Sequence, residues 1–108
     1  MADNRKYYYL KLKENFFDSD SIVLLEDMKD GILYSNILLK LYLKSLKNGG
    51  RLQLDEHIPY TAQMIATLTR HQIGTVERAL AIFQQLGLVE QLDCGLLYMT
   101  DIELMSGQ

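Results

Sequence analysis

Gln72, Thr75, Arg78 and Gln85 are the residues whose types and spacing best suit chemistry on a ligand. Thr75, Arg78 and Gln85 face away from an apolar side made by Val76, Ala79, Leu80 and Phe83, which recur at i, i+3, i+4 and i+7. An arginine can donate two hydrogen bonds to guanine, and a glutamine can pair with adenine. A threonine hydroxyl can reach a phosphate. The same residues also make an ordinary solvated helix face, and this reading stays open beside the first. A second set, Lys40, Lys44 and Lys47, forms one stripe with Asn36 on a helix. It suits phosphate neutralisation, or simple solubilisation. A third set, Tyr7, Tyr9, Lys11 and Lys13, shares one face of an alternating segment. Aromatics interleaved with cations can stack on unpaired bases. A tyrosine-bearing strand edge also invites a partner strand, and contact with a second copy is the reading preferred here.

Other chemistries lack their residues. His57 and His71 have no second ligand at metal spacing. Asp18, Asp20, Glu26, Asp27 and Asp30 lack the central glycine and closing glutamate of a calcium loop. Asn48-Gly49-Gly50-Arg51 lacks the Gly-Lys-Ser/Thr ending of a phosphate loop. Cys94 is the single cysteine, at a hairpin tip without a histidine beside it. The expectation is a protein without catalytic residues, metal, cofactor or small-molecule ligand, and not an enzyme.

The elements that must position these groups follow from composition and period. The 108 residues fit one domain, with 48% hydrophobic and 23% charged residues. The net charge is −3 and is unevenly spread: residues 1–51 carry nine bases and seven acids, residues 52–108 two bases and seven acids. Short, charge-broken apolar runs and a start without an apolar stretch lead to the expectation of a soluble, cytoplasmic protein with no membrane partner. Alternation over residues 6–13 predicts a strand. A helix is predicted to start near Asp18–Asp20, and another covers about 31–47, with Asp30 as a candidate cap. A short strand at 51–54, a turn over 55–59, and helices at about 62–69 and 76–86 follow, capped by Thr61 and Thr75 and joined through 70–74. Segments 88–92 and 96–100 read as a hairpin around Asp93-Cys94-Gly95, with Gly95 at positive φ, and the tail is weakly patterned.

Helix 31–47 is apolar around most of its circumference, wider than the ~100° stripe a surface helix needs. It is therefore central to the core, or packs partly on a second chain. Leu39, Tyr42 and Leu43 are its candidates for self-association, with Tyr7 and Tyr9 from the strand. From residue 51 the order is strand, helix, tight turn, helix, hairpin, which is that of a winged helix-turn-helix. The predicted fold class is α+β: a winged helix-turn-helix with an N-terminal strand and extra N-terminal helices. Residues 1–50 serve core and self-association, residues 51–102 form the winged helix, and 103–108 are a tail of the same compact domain.

Several segments carry a resemblance. They are Arg5-Lys-Tyr-Tyr-Tyr-Leu-Lys-Leu-Lys13 followed by Phe16-Phe17, and Ile58-Pro-Tyr-Thr61 with Met64-Ile-Ala-Thr-Leu-Thr69. Thr75-Val76, Ala79-Leu80 and Leu86-Gly-Leu-Val-Glu90 join them. Together, over residues 5 to 102, they resemble the N-terminal region of phage replisome organizers of Gram-positive bacteria. That family is similar to the N-terminal winged-helix domain of DnaD-type primosome proteins and of plasmid replication initiators. The resemblance implies DNA binding at or near a phage origin as a homo-oligomer, and help in assembling the host primosome. It implies self-association through the N-terminal strand and helices, and a longer parent protein with a further C-terminal domain. Two other readings stand beside it. One is a self-assembling docking scaffold for replication proteins without direct DNA contact, favoured by the acidic second half. The other is a winged-helix transcription regulator. The Thr75/Arg78/Gln85 face favours a DNA reader.

Overall fold

Helix α2, Gly31–Ser45, runs through the middle of the molecule. In this computed structural model, which describes residues 8–107, helices α1 (Asp20–Asp27), α3 (Ala62–Thr69) and α4 (Ile73–Gln85) all pack on it. Its buried side carries Tyr34, Ile37, Leu38, Leu41 and Tyr42. Ile22 and Leu25 of α1, Ile65 of α3 and Val76, Ala79 and Phe83 of α4 close around them. The wide apolar circumference of α2 is thus mostly explained by neighbours within the chain.

The entry to α2 depends on Gly31. A Cβ there would lie 2.5 Å from the backbone oxygens of Leu25 and Glu26, so only a glycine lets α1 fold back this closely. Asp30 before it adopts a left-handed conformation (φ 65°) and makes no side-chain cap. Ser35 Oγ then donates to Glu26 Oε2 at 2.7 Å, tying the two helices together. After Ser45 the helix tightens into a 3-10 turn over Leu46–Asn48.

The second half follows the predicted order with shifted boundaries. Thr61 Oγ1 accepts from Met64 N at 3.1 Å, so α3 is capped as expected. Arg70 takes the left-handed conformation (φ 62°) that ends it. Helix α4 begins at Ile73, earlier than its periodicity suggested, and Gln72 stands at its N-cap in place of Thr75. Strands β3 (Val89–Gln91) and β4 (Leu97–Met99) pair antiparallel, with Val89 opposite Met99 and Gln91 opposite Leu97. Gly95 closes their turn at φ 87°. The other edge of β4 receives the chain after Gly50: Leu52 N donates to Leu97 O, and Met99 N to Gly50 O. Strand β1 (Gln53–Asp55) pairs with β2 (Ile58–Pro59), a segment the sequence read as a turn. Pro59 is tolerated because its strand has a free edge. The fold class is α+β, with five α-helices and two small antiparallel sheets among the described residues.

Both ends differ from expectation. Residues 6 and 7 lie outside the described residues, and no strand forms over 8–13. Instead Gly107 N donates to Tyr9 O at 2.9 Å and Lys11 N to Met105 O at 2.7 Å, around a bridge between Leu10 and Ser106. A half-buried strand needs a partner, and the one available is three residues long, so pairing stops there and Leu12 is left exposed. The tail read as unpatterned supplies this partner. It also forms the short helix α5 (Ile102–Met105), whose Ile102 and Met105 join the core.

These contacts predict opposite effects for two glycine substitutions. Gly31→Ala is expected to cost about 2 kcal/mol or more, because backbone must move to admit the methyl. Gly74→Ala, whose Cβ would meet only Arg78 Nη1 at 3.5 Å, is expected to stabilise α4 by about 0.5 kcal/mol. Urea denaturation of both variants measures the difference.

Candidate nucleic-acid interface

The outward face of α4 carries Ile73, Glu77, Arg78, Ala81, Gln84 and Gln85, all exposed. Gln72 is exposed at its start. Thr75 is not on this face: it is 6% exposed and packs inward. Because the helix starts at Ile73, Thr75 falls within the first turn on the side of Ala79 and Ile82, past the N-cap position held by Gln72. Arg78 remains available. Its Nε donates to Tyr34 Oη at a long 3.4 Å, and Nη2 stands 3.9 Å from Asp30, with 58% of the side chain exposed. These contacts steady the guanidinium without using up its donors. As an exposed pair at the distance limit, Arg78 and Asp30 contribute little stability.

The lysine stripe of α2 is divided in use. Lys40 Nζ donates to Thr69 O at 2.8 Å, satisfying a carbonyl at the C-terminus of α3, where the helix dipole favours a cation. One turn earlier, Asn36 Oδ1 meets His71 Nε2 at 2.8 Å. Burial first, and the charge of Lys40 second, hold the His71 pKa below its ordinary value, favouring the neutral ring at this junction. Lys44 and Lys47 are exposed, with no ion pair or hydrogen bond of their side chains among the described residues. The Asn36–Lys40 end of the stripe therefore lies against the α3–α4 connection, and Lys44 and Lys47 follow about one and two turns beyond Lys40. Tyr34 and His71 take part in this arrangement, and neither was given a role there from the sequence. Their partners lie 44 and 35 residues away, and no local pattern signals such pairs.

The β3–β4 hairpin differs sharply in charge. Glu90 and Asp93 are exposed on it, and no lysine or arginine follows Arg78 in the sequence. Among the described residues no group of three or more histidine, cysteine or acidic side chains is arranged to hold a metal ion.

The self-association residues scatter. Tyr7 lies outside the described residues. Tyr9 and Leu43 are exposed, the latter at 52%, and Leu39 is half-buried against the core. Tyr42 is 1% exposed and is a core residue, unavailable to a second chain. Ile32, at 67% exposed, was not singled out, yet it lies on the same side of α2 as Leu39 and Leu43, by their spacing of seven and eleven residues.

The family model for the N-terminal phage replisome organiser matches residues 9–108. The chain belongs to that family. Comparison with curated proteins and with solved structures gives no match. A replisome organiser acts in phage replication, alongside DNA or the replication machinery. No helix among the described residues of this organiser domain is long and apolar enough to cross a membrane. In the organiser, the α4 face carries Arg78, Gln72 and Gln85, and the α2 stripe carries Lys44 and Lys47, all exposed.

The divided use of the organiser's stripe gives a stability prediction. Lys40→Met keeps the stem but leaves Thr69 O without its donor, and is expected to cost about 1–2 kcal/mol. Lys44→Met is expected to stay within about 0.5 kcal/mol of the parent. Thermal and urea unfolding of the two variants test this.

Proposed function

We propose that this domain is a winged helix-turn-helix that binds DNA at or near a phage origin as an oligomer and helps assemble the host primosome. It works in the cytoplasm of the bacterial host and acts by binding, with no catalysis of its own. The observation that carries the reading is the pair of contacts Lys40–Thr69 and Asn36–His71. They hold the α2 stripe against the connection into α4. Lys44 and Lys47, further along the same stripe, supply cations for phosphate, and the α4 face bearing Arg78, Gln72 and Gln85 supplies groups for bases. Lys44, Lys47 and Arg70 take the phosphates, and Arg78 with the glutamines reads bases. Thr75 has no part, being buried.

Titration of a labelled duplex by fluorescence anisotropy at two salt concentrations tests it. Non-specific binding is expected at roughly 10⁻⁴–10⁻⁶ M and falls steeply with salt. Replacing Lys44 and Lys47 together by alanine is expected to reduce the salt slope by about 2. Arg78→Ala is expected to weaken a specific site by about 1–3 kcal/mol. Absence of binding at low salt overturns the reading.

A second reading, a docking scaffold without DNA contact, is favoured by the hairpin. In a winged helix the hairpin flanks the recognition helix, and here it carries acids and no cation. Either reading includes self-association through the exposed side of α2, with Ile32 and Leu43 at its centre. Ile32→Asp combined with Leu43→Asp is expected to lower the mass measured by sedimentation to that of one chain. An unchanged mass removes α2 from the contact.

A further inference from the structure

Arg78 is tied down along one edge of its guanidinium. Helix side chains lean toward the N-terminus of their own helix, and this one lies back over Gly74, one turn earlier, where a Cβ would stand 3.5 Å from Nη1. From there it reaches the start of α2. Nε donates to Tyr34 Oη at 3.4 Å, and Nη2 stands 3.9 Å from Asp30 Oδ2.

Both anchors are fixed by the core and not by the arginine. The Tyr34 ring is 4% exposed, so its hydroxyl cannot follow a moving partner. Asp30 sits in the turn between α1 and α2, in a left-handed conformation directly before Gly31. Its type and place suggest a helix cap, yet its side chain makes no cap bond. Its carboxylate faces Arg78 instead. The two contacts are too long to add much stability. What they settle is direction.

The atoms involved decide which donors remain. A guanidinium has five N–H donors in a rigid plane. They make a side-on fork of Nε with Nη2 and an end-on fork of Nη1 with Nη2. Tyr34 and Asp30 occupy the side-on fork. The end-on fork stays open, on a side chain 58% exposed. The acid also selects among acceptors. It offsets part of the guanidinium charge, which weakens the attraction to a phosphate. Guanine O6 and N7 are neutral acceptors at the spacing of one fork.

We propose that Asp30 and Tyr34 are positioning residues that present Arg78 end-on to a guanine in the major groove, giving this domain a preference for guanine at one base-pair position. The inference rests on the DNA-binding reading and names the base that is read. Asp30 and Tyr34 act through Arg78 and make no DNA contact of their own.

Two measurements on the 108-residue chain test it. Asp30→Asn keeps a residue type that tolerates the left-handed backbone, and Tyr34→Phe keeps the buried ring, so both variants are expected to fold. The first measurement uses no DNA: the heteronuclear NOE of the Arg78 Nε–H in 15N NMR. The parent is expected to match backbone amides of the helices, and Tyr34→Phe to fall well below them. The second selects duplexes from a randomised pool with the parent, then titrates the selected site and its single-base changes by anisotropy. One guanine is expected whose replacement by adenine weakens binding about tenfold. Each variant is expected to shrink that ratio about threefold to tenfold. Unrelated duplex is expected to bind Tyr34→Phe as it binds the parent, and Asp30→Asn somewhat more tightly, because an acid has gone. Damage to the fold would weaken both kinds of binding together.

A mobile Nε–H in the parent, or one equally ordered in Tyr34→Phe, overturns the tie. Absence of a guanine preference in the parent, or the same preference in both variants, overturns the reading of guanine. So does an Arg78→Ala variant that weakens all duplexes evenly and lowers the salt slope by about 1, since that is the behaviour of a phosphate contact. If the parent binds no duplex at low salt, the DNA-binding reading fails and the guanine preference with it. An ordered Nε–H in that case shows the tie intact and keeps the two failures apart.

Discussion

The packing of everything else on α2 is the constraint on which this fold depends. One helix of fifteen residues serves α1, α3, α4 and β4 at once. Each large apolar side chain it buries contributes about 1.5–3 kcal/mol. That leaves only a narrow arc of the helix for solvent, so whatever α2 presents outward must be written into a few positions. Asn36, Lys40, Lys44 and Lys47 occupy one edge of that arc, and Ile32, Leu39 and Leu43 the other. A polar edge and an apolar edge on one exposed strip give the helix two surfaces without loosening the core. The tight α1–α2 turn at Gly31 is part of the same constraint, since a wider turn would pull Ile22 and Leu25 out of the core.

The polar contacts around the α3–α4 connection act at the next level. Thr69 O and Lys40, Asn36 and His71, Tyr34 and Arg78 are three ties between α2 and the helix pair. They fix how the outward face of α4 is turned relative to the lysine stripe. A charge used for such a tie is not free for a ligand. Lys40 therefore positions the surface, while Lys44, Lys47 and Arg78 keep their donors toward solvent.

Where a signal was local, it was legible in the sequence. The period of Val76, Ala79, Leu80 and Phe83, the Thr61 cap and the Gly95 turn all involve neighbours within a few residues, and each was read correctly. The order helix, tight turn, helix, hairpin was legible for the same reason. What failed depended on distant partners. Thr75 looked like a cap because the left-handed Arg70, which allows α4 to begin at Ile73, leaves no mark in residue type. The alternation of Tyr8, Leu10 and Leu12 was real, but its pairing length was set by a tail that looked unpatterned. Tyr42 and Leu39 could not be separated from Leu43 by periodicity alone, because which side of a broadly apolar helix stays open is decided by the helices that cover it. Of the interface, the residue types were legible and their division of labour was not.

The short ladder joining residues 9–11 to residues 105–107 has a mechanical meaning. The described chain enters and leaves through the same antiparallel pair, side by side. Tension applied through residues 8 and 107 would pull across that pair, breaking its hydrogen bonds one after another instead of together in shear. The first bond to open would be Gly107 N to Tyr9 O, and the next Lys11 N to Met105 O. The domain would therefore yield first at its termini and at low force, while a pull applied elsewhere would act on the helices packed around α2.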